Sequence, residues 1–195
     1  MTREIMARYP VRQSQVFIAG LSAGGAMAVI AGTLYPDLFA AVGVHSGLPF
    51  AAARDLPSAL YAMRLGAAGA RAAQTAGQPI IVFHGDQDTT VHPGNGDQVI
   101  LQFAPTASRH AAQPKTGANP DVNVERGQVP NGHAYTRTLY HHPSGSPHVE
   151  QWTIHGAGHA WSGGSSRGSY TDPRGPDASK EMLRFFLAHP AEPSR

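Results

Sequence analysis

The sequence predicts an α/β fold with one mostly parallel sheet, and two features of the chain support this prediction. Apolar runs such as residues 79–83 are typical of strands that are buried on both faces of a parallel sheet. Helical stretches rich in small and apolar residues follow these runs along the chain, as βαβ units require. The 195 residues, 41% of them hydrophobic, suffice for one domain with a sizeable core. We therefore predict a single domain over residues 1–195.

The N-terminal half contains three predicted strands, each followed by helical sequence. Val16–Ile18 belong to the first strand. The helix after that strand stops at Tyr35-Pro36, because proline disfavours a helical conformation in the preceding residue. The other predicted elements of this half are a strand at 40–45, a helical region at 51–76 with Leu56, Leu60, Met63 and Leu65 on one side, a strand at 79–83 and a short helix at 96–103.

Polar segments and two further strands make up the C-terminal half. Residues 106–130 contain Pro and Gly without a clear period, and we expect them to form a long surface loop. Residues 134–140 and 148–154 flank a turn that contains Pro and Gly, which predicts a hairpin-like pair of strands. A loop rich in Gly and Ser over 162–176 then leads to a closing helix over 177–188.

The turn after the first strand carries the most specific motif of the chain. Gly20-Leu21-Ser22-Ala23-Gly24 has the Gly-x-Ser-x-Gly spacing of a nucleophile elbow, with the required strand before it and helix after it. The elbow exposes the serine hydroxyl in a strained backbone conformation, and the flanking glycines let strand and helix approach without a clash. The free N–H groups at the start of the helix favour negative charge beside the hydroxyl. This motif predicts acyl transfer through Ser22.

A serine nucleophile needs a base and an acid that orients the base, and both residue types follow downstream. Asp86 and Asp88 lie after the strand at 79–83, at the edge of the sheet where the catalytic groups of α/β sheets collect. Their spacing alone does not choose between them, since side chains two residues apart in an extended loop can point the same way. His159 lies in a glycine-flanked loop after the strand at 148–154. The order Ser, Asp, His is that of α/β hydrolases.

Several motifs together resemble the polyhydroxybutyrate depolymerase family of esterases, whose close relatives are feruloyl and acetylxylan esterases. These motifs are Gly20–Ala28, Tyr35–Ala41, Val44–Gly47, His84–Val91 and Gly156–Gly164, and the similarity continues through Gly168–Pro173 into the closing helix. The resemblance covers nearly the whole chain. It implies an α/β-hydrolase fold and the chemistry of a serine esterase.

By this resemblance the catalytic residues would be Ser22, Asp88 and His159, because the acid of the family is the fourth residue after the histidine of His-Gly-x-x-Asp. Asp86 would then cap the loop or bind its backbone. His159 would take the proton of Ser22 and return it to the leaving alcohol, while Asp88 fixes its tautomer. The N–H of Ala23 would be one donor of the oxyanion hole.

Two aromatic residues lie near these loops. Trp161, two residues after the predicted base, is either part of the substrate cleft or an anchor of its loop in the core. His45, which follows the second strand, is expected to be a buried, hydrogen-bonded structural residue rather than a second base.

The resemblance implies that residues 1–10 are the end of the helix that precedes the elbow strand in this family. The family pattern also includes a segment that has no counterpart here. Its first strands, and a His-Gly loop that supplies the second oxyanion N–H, precede the elbow, whereas the elbow of this chain begins at Gly20. We therefore expect a domain without those strands and that donor. Val16, Phe17 and Ile18 would then lie on an exposed apolar sheet edge, which is a template for pairing with a second copy of the chain.

Composition and spacing exclude several other classes of function. The 15 Lys and Arg residues are scattered and nearly balanced by 13 Asp and Glu, which argues against a nucleic-acid or membrane surface. The glycines at 20–25 fit neither a phosphate loop nor a dinucleotide-binding fingerprint. The 11 histidines match no zinc spacing and there is no cysteine, so we predict neither a metal nor a cofactor. The sequence shows no signal peptide, and the compartment stays open, although the family is often extracellular or periplasmic.

Two hypotheses of function follow from the sequence. The first is a serine esterase that cleaves polyhydroxybutyrate-type oligoesters or short-chain esters through an acyl-enzyme, with feruloyl or acetylxylan esters as alternative substrates. The second is a weakly active or inactive hydrolase domain that acts as an interaction or oligomerising module through the edge of its first strand.

Overall fold

A six-stranded, mostly parallel sheet organises the protein in a computed structural model that describes residues 1–67, 77–104, 122–141 and 147–191. Its strands are β1 (Phe17–Leu21), β2 (Ala41–His45), β3 (Ile80–Gly85), β4 (Val122–Gln128), β5 (Ala134–His141) and β6 (Pro147–Ile154). They lie in the order β1-β2-β3-β6-β5-β4. The first four in this order are parallel, and β5 and β4 are antiparallel to their neighbours. The predicted α/β architecture is confirmed.

Helices cover both faces of this sheet. The helices of the described ranges are α1 (Thr2–Arg8), α2 (Ala23–Leu34), α3 (Leu56–Leu65), α4 (Gly94–Phe103) and α5 (Ala178–Ala188), and a 3₁₀ turn spans Gln13–Gln15. Residues of α2 and α4 pack on one face of the sheet, and residues of α5 pack on the other. None of the helices within the described ranges has the length and apolar character needed to cross a bilayer.

The central strand β3 shows why its sequence is continuously apolar. Ile80 and Val82 belong to the cluster under α2 and α4, whereas Ile81 and Phe83 belong to the cluster under α5. Because successive side chains of a strand point to opposite faces, a strand buried on both faces needs apolar residues at every position.

The predicted hairpin-like pair and the closing helix are also confirmed. β5 and β6 pair antiparallel, with Tyr135 opposite Ile154 and Tyr140 opposite Val149; the turn between them lies at 142–146, outside the described residues. α5 begins at the predicted place because the carboxylate of Asp177 accepts the N–H of Lys180 at 3.0 Å, as an N-cap residue does.

The prediction of a surface loop over 106–130 was wrong for its last part. Residues 122–128 form β4, the outer strand beside β5, while residues 105–121 lie outside the described part of the chain. The strand is mostly exposed and has no apolar run, and its alternation of apolar and polar residues is confined to residues 122–125, which is a weak signal in the sequence. The strand β4 is instead stabilised by its pairing with β5. Similarly, the loop over 162–176 contains part of a small two-stranded sheet, β7 (Trp161–Ser162) and β8 (Thr171–Asp172).

The prediction for the helical region at 51–76 needs a second correction. In its described part the helix α3 spans only residues 56–65, and residues 68–76 lie outside the described ranges. Leu56, Leu60 and Leu65 are largely exposed, and Ala62 is the buried residue of the helix. The helix forms through its cap, where Asp55 and Ser58 exchange the two hydrogen bonds of a capping box, and not through an apolar face on the core.

β1 forms one edge of the sheet, since in the described ranges it pairs with β2 alone. Its apolar side chains are nevertheless largely covered. Phe17 stacks on Phe186 of α5 with ring centroids 4.9 Å apart, and Ile18 packs against the cluster under α2. The expected edge is therefore one of unpaired backbone N–H and C=O groups in the described ranges. The side chains of residues 16–18 are half-buried.

Candidate active site

Ser22 occupies the turn between β1 and α2, as the motif predicts. Its backbone has φ 58° and ψ −120°, a conformation that costs a residue other than glycine on the order of 1–3 kcal/mol. Its N–H donates to the carbonyl of His45 at 2.9 Å, which ties the turn to the end of β2. The hydroxyl does not cap the helix. Ser22 Oγ is thus left unused by the local structure, at the N-terminus of a helix.

Two glycines allow the close approach of β1 and α2. A Cβ atom on Gly20 would lie 2.2 Å from the carbonyl carbon of Gly24, and one on Gly25 would lie 3.0 Å from the carbonyl oxygen of Gly20. Gly24 itself, the last glycine of the motif, has open space around its Cα. The steric role expected of Gly24 therefore belongs to Gly25.

This difference gives a prediction with a built-in control. Gly20→Ala is expected to lower the free energy of unfolding by about 3 kcal/mol or more, because the new methyl group meets backbone atoms that cannot move away. Gly24→Ala, in a helix and in open space, should leave it unchanged or slightly raised. Urea unfolding of the two variants measures this. Equal stability would mean that strand and helix do not approach as closely as described.

Asp88 and His159 form a pair at the carboxyl edge of the sheet. Asp88 follows β3 and is 5% exposed, and its Oδ2 lies 2.7 Å from Nδ1 of His159. Its Oδ1 accepts the N–H groups of Thr90 and Val91 at 2.9 and 2.8 Å, which fixes the carboxylate. Since a carboxylate only accepts, the proton of the imidazole sits on Nδ1. Nε2 is then the nitrogen with a free lone pair, as a general base requires.

Hydrogen bonds keep the Asp88 carboxyl ionised in spite of its burial. Burial by itself would raise its pKa, but the hydrogen bonds from His84, the Val91 N–H, His159 and the Thr90 N–H outweigh burial and hold the pKa well below its usual range. A carboxyl with a depressed pKa stabilises the fold above its unfolded pKa of about 4, and this contribution is lost as the pH falls below that value.

His45 joins the serine turn to the loop that carries His159. Its carbonyl accepts the Ser22 N–H, and its ring Nε2 accepts the N–H of Ser162 at 3.0 Å. The loop after β6 therefore crosses over β3 to the end of β2, next to β1. Ser22 and His159 consequently both lie at the carboxyl ends of the parallel strands. The described hydrogen bonds include none between Ser22 Oγ and His159. Such bonds are often long in the absence of substrate.

The expected structural role of His45 is supported by its surroundings. The ring is fully buried, stacks on Phe83 and Trp161, and lies 3.1 Å from Ser46 Oγ through Nδ1. Burial lowers its pKa from 6.5 to about 3, and the positive potentials of His84 and His159 act in the same direction. The ring is therefore neutral, so that Nε2 can accept from Ser162 while Nδ1–H faces the hydroxyl.

Trp161 is held in place by contacts on two sides. Its ring lies 5.3 Å from that of His45, and its Nε1–H donates to Ser179 Oγ at 3.1 Å. These contacts favour the interpretation of Trp161 as an anchor of its loop. Its contact with substrate stays a prediction.

Asp86 binds the loop that carries His159, through a partner that the sequence did not indicate. Its Oδ1 accepts the backbone N–H of Gly156 at 2.8 Å, which agrees with the expected backbone role. Its Oδ2 accepts Nδ1–H of His155 at 2.9 Å. The only signal in the sequence was that two Asp residues and two His residues occupy the same two loops.

A mostly parallel sheet with a strained serine at a strand–helix turn, and a buried Asp–His pair at the same edge, defines a protein of the α/β-hydrolase fold. The chain belongs to the Esterase PHB depolymerase family, whose sequence profile matches residues 1–118.

Individual relatives agree with this family and fold. Poly(3-hydroxyalkanoate) depolymerase C of Paucimonas lemoignei is 30% identical over an alignment of 171 positions, which covers 82% of this chain and 38% of that protein. Two solved structures share the fold. The acetyl xylan esterase from Aspergillus awamori has a TM-score of 0.64 at 18% identity, over 96% of this chain and 64% of that one. The PHB depolymerase from Penicillium funiculosum has a TM-score of 0.60 at 21% identity, over 95% and 54%. This chain thus spans less than two thirds of each of these relatives.

Proposed function

We propose that this protein is a serine esterase that hydrolyses carboxylic ester bonds, with Ser22 as nucleophile, His159 as general base and Asp88 as the acid that orients it. The observation that carries the proposal is the hydrogen bond of 2.7 Å between Asp88 and Nδ1 of His159. This bond selects the tautomer whose free Nε2 can accept a proton, at the same sheet edge as a serine whose hydroxyl is not used as a helix cap.

The reaction would proceed through an acyl-enzyme. Ser22 Oγ attacks the ester carbonyl carbon while His159 Nε2 takes the hydroxyl proton, and the negative charge of the tetrahedral intermediate develops on the carbonyl oxygen. The N–H of Ala23, the first residue of α2, has no partner within the helix and would donate to this oxygen. The C–O bond of the ester breaks as His159 returns the proton to the leaving alcohol. Water then attacks the acyl-enzyme with His159 as base, which releases the carboxylic acid.

The substrate class we propose is polyhydroxybutyrate-type oligoesters or short-chain esters. The family and the name of the Paucimonas relative support this class. Acetylated xylan is an alternative because acetylxylan esterase A of Aspergillus awamori is 28% identical over 145 residues, and feruloyl esters are an alternative that the sequence resemblance implies. Hydrolysis of p-nitrophenyl butyrate by the purified protein, beside its Ser22→Ala variant, tests the ester chemistry. The ratios of kcat/KM for a 3-hydroxybutyrate trimer, acetylated xylan and methyl ferulate then rank the substrates.

A second candidate function, association through the edge of β1, is favoured by the position of that strand. β1 pairs on one side only in the described part of the chain, and the preceding helix α1 buries none of its residues. An unpaired strand edge is a template for another strand. We propose that two copies pair through their β1 strands around a two-fold axis, which is the simplest closed arrangement.

Sedimentation over a range of concentrations is expected to show a monomer–dimer equilibrium for this protein. Ala19 is the exposed position of β1, so Ala19→Lys should shift the equilibrium toward monomer by placing a charge at the edge. Val124→Lys is the matched control, because Val124 is an exposed residue of β4 at the opposite edge of the sheet. A monomer at all concentrations would contradict the proposal, and loss of the dimer in the Val124 variant alone would assign the interface to β4.

A further inference from the structure

We propose that Asp86 and His155 are positioning residues for the Asp88–His159 pair. Together they form a clamp, defined here as the Asp86–His155 clamp, between the loop that carries Asp88 and the loop that carries His159. This inference rests on the proposed esterase function, in which the distance between these two loops decides how well the base is held.

The clamp lies next to the residues that it would position. Asp86 is two residues before Asp88, and His155 is four residues before His159. The carboxylate of Asp86 binds the other loop twice, through His155 Nδ1–H at 2.9 Å and the Gly156 N–H at 2.8 Å. One side chain of the Asp88 loop thus holds the first two residues of the His159 loop.

The backbones of the two loops are in direct contact beside the clamp. The N–H of Asp86 donates to the carbonyl of Ile154 at 3.1 Å, and the N–H of Gln87 donates to that of Ala157 at 3.0 Å. A Cβ atom on Gly85 would lie 2.3 Å from the Ala157 carbonyl oxygen, so only glycine permits this approach. Because the loops touch over several residues, a change in the clamp is transmitted to the short segment that ends at His159.

The hydrogen bonds of His155 separate its role from that of His159. Nδ1–H of His155 donates to Asp86, and its Nε2 accepts the hydroxyl proton of Thr136 on β5 at 2.9 Å. Both ring nitrogens are therefore occupied, whereas the described contacts of His159 leave Nε2 without a hydrogen-bond partner. His155 is suited to hold a position, and His159 is suited to transfer a proton.

One further contact, from a histidine that is itself held by a carboxylate, fixes the backbone of His155 from the side of β5. Nδ1 of His133 lies 2.9 Å from the carbonyl oxygen of His155, and its Nε2 lies 2.8 Å from Oδ2 of Asp172. His155 is thus held through its ring by Asp86 and Thr136 and through its backbone by His133. The loop that carries the base therefore starts from a residue held by several hydrogen bonds, and the side chain of Asp86 binds this residue to the Asp88 loop.

The electrostatic state of Asp86 suits this role. Burial by itself would raise its pKa, but the hydrogen bonds from His155 and from the Gly156 N–H outweigh burial and hold the pKa below its usual range. An ionised carboxylate accepts both bonds at once, and hydrogen bonds to a charged group are stronger than those between neutral groups.

Loss of the clamp is expected to lower kcat more than it changes KM. A misplacement of about 1 Å can reduce a rate by about 100-fold, but the backbone bonds between the loops remain. We therefore expect Asp86→Ala to lower kcat for p-nitrophenyl butyrate by about 10- to 100-fold, with KM within about twofold of the parent protein.

Two substitutions of His155 provide a test that does not depend on the folding of the Asp86 variant. In His155→Asn the side-chain NH₂ takes the place of Nδ1–H and can still donate to Asp86. In His155→Gln the amide takes the place of Nε2, so the bond to Thr136 is kept and the bond to Asp86 is lost. We expect the Asn variant to stay within about twofold of the parent kcat and the Gln variant to lose about 10-fold.

Asp55→Ala is the matched control for loss of a surface carboxylate. Asp55 accepts the N–H of Ser58 as the cap of α3, so its removal weakens the fold without touching either loop. We expect its kcat to equal that of the parent protein. If Asp55→Ala lowers kcat as much as Asp86→Ala does, the effect of Asp86 is one of stability alone and the proposal is overturned.

A spectroscopic measurement separates this inference from the esterase proposal. The proton of His159 Nδ1 in its short bond to Asp88 should give a low-field ¹H resonance, which Asp88→Asn identifies by removing it. We expect this resonance to broaden or shift in Asp86→Ala and His155→Gln and to persist in His155→Asn. An unchanged resonance in all three variants would overturn the positioning role, whether or not the protein hydrolyses esters. Absence of activity with the expected changes in the resonance would overturn only the esterase function.

Discussion

Replacing Ser22 with alanine is expected to lower kcat for p-nitrophenyl butyrate by about 10⁶-fold, to the residual rate that binding and oxyanion stabilisation supply without a nucleophile. The size of the effect follows from the mechanism, because without Oγ no acyl-enzyme can form. KM should change little, since the hydroxyl bonds to the substrate only as the reaction proceeds. Steady-state rates measure this loss, and mass spectrometry after reaction with a fluorophosphonate should place the label on Ser22 in the parent protein.

Ser165→Ala is the matched control for this substitution. Ser165 lies in the exposed loop between β7 and β8, where its hydroxyl accepts the N–H of Arg167 and faces none of the candidate catalytic residues. We expect its kcat to stay within about twofold of the parent value. If Ser22→Ala retains more than about 1% of the activity, or if the fluorophosphonate labels another residue, Ser22 is not the nucleophile.

Asp88→Asn is expected to lower kcat by about 10⁴-fold while leaving the protein folded. The amide oxygen of the substituted side chain can still accept the N–H groups of Thr90 and Val91, which preserves the turn. Its NH₂ group would face Nδ1 of His159 and stabilise the other tautomer, in which Nε2 carries the proton. A protonated Nε2 cannot accept the proton of Ser22, so the base is lost without a change of shape.

Asp86→Asn is the comparison that makes this prediction specific. The amide oxygen of this variant can keep the bond to the Gly156 N–H, and Asp88 still orients His159, so kcat should fall by less than about 30-fold. Rates for both variants, together with their urea unfolding curves, decide the assignment. The reverse ranking, with the larger loss in the Asp86 variant, would show that Asp86 is the catalytic acid.

Much of the fold could be predicted because its determinants are local. The strand β3 is buried on both faces, so it must be apolar throughout, and the turn at Ser22 needs a glycine at position 20 for steric reasons. α5 carries its own start signal in Asp177. In each case the residues that decide the structure are adjacent in the chain.

The elements that the sequence did not reveal depend on distant partners. β4 is a mostly polar, exposed strand that forms by pairing with β5, and its own period-2 pattern is confined to residues 122–125. The apolar residues of α3 were predicted to lie on one side of a longer helical region, but the described helix is set by its capping box and leaves Leu56 and Leu65 exposed. Hydrophobic pattern alone cannot say which apolar side chains find a partner in the folded protein.

The same division applies to the candidate site. The sequence by itself determined that a serine ends one strand, that two carboxylates follow a later buried apolar strand, and that two imidazoles follow another strand further on. Only the tertiary structure decided which carboxylate meets which imidazole. The N–H groups of Thr90 and Val91 hold Asp88 inward against His159, while the contact of Gly85 with Ala157 brings the loops close enough for Asp86 to bind His155. Asp86 and Asp88 are two residues apart, and His155 and His159 are four apart, so the alternation of an extended chain would place both members of each pair on the same side. The packing of one loop on the other gives them different partners.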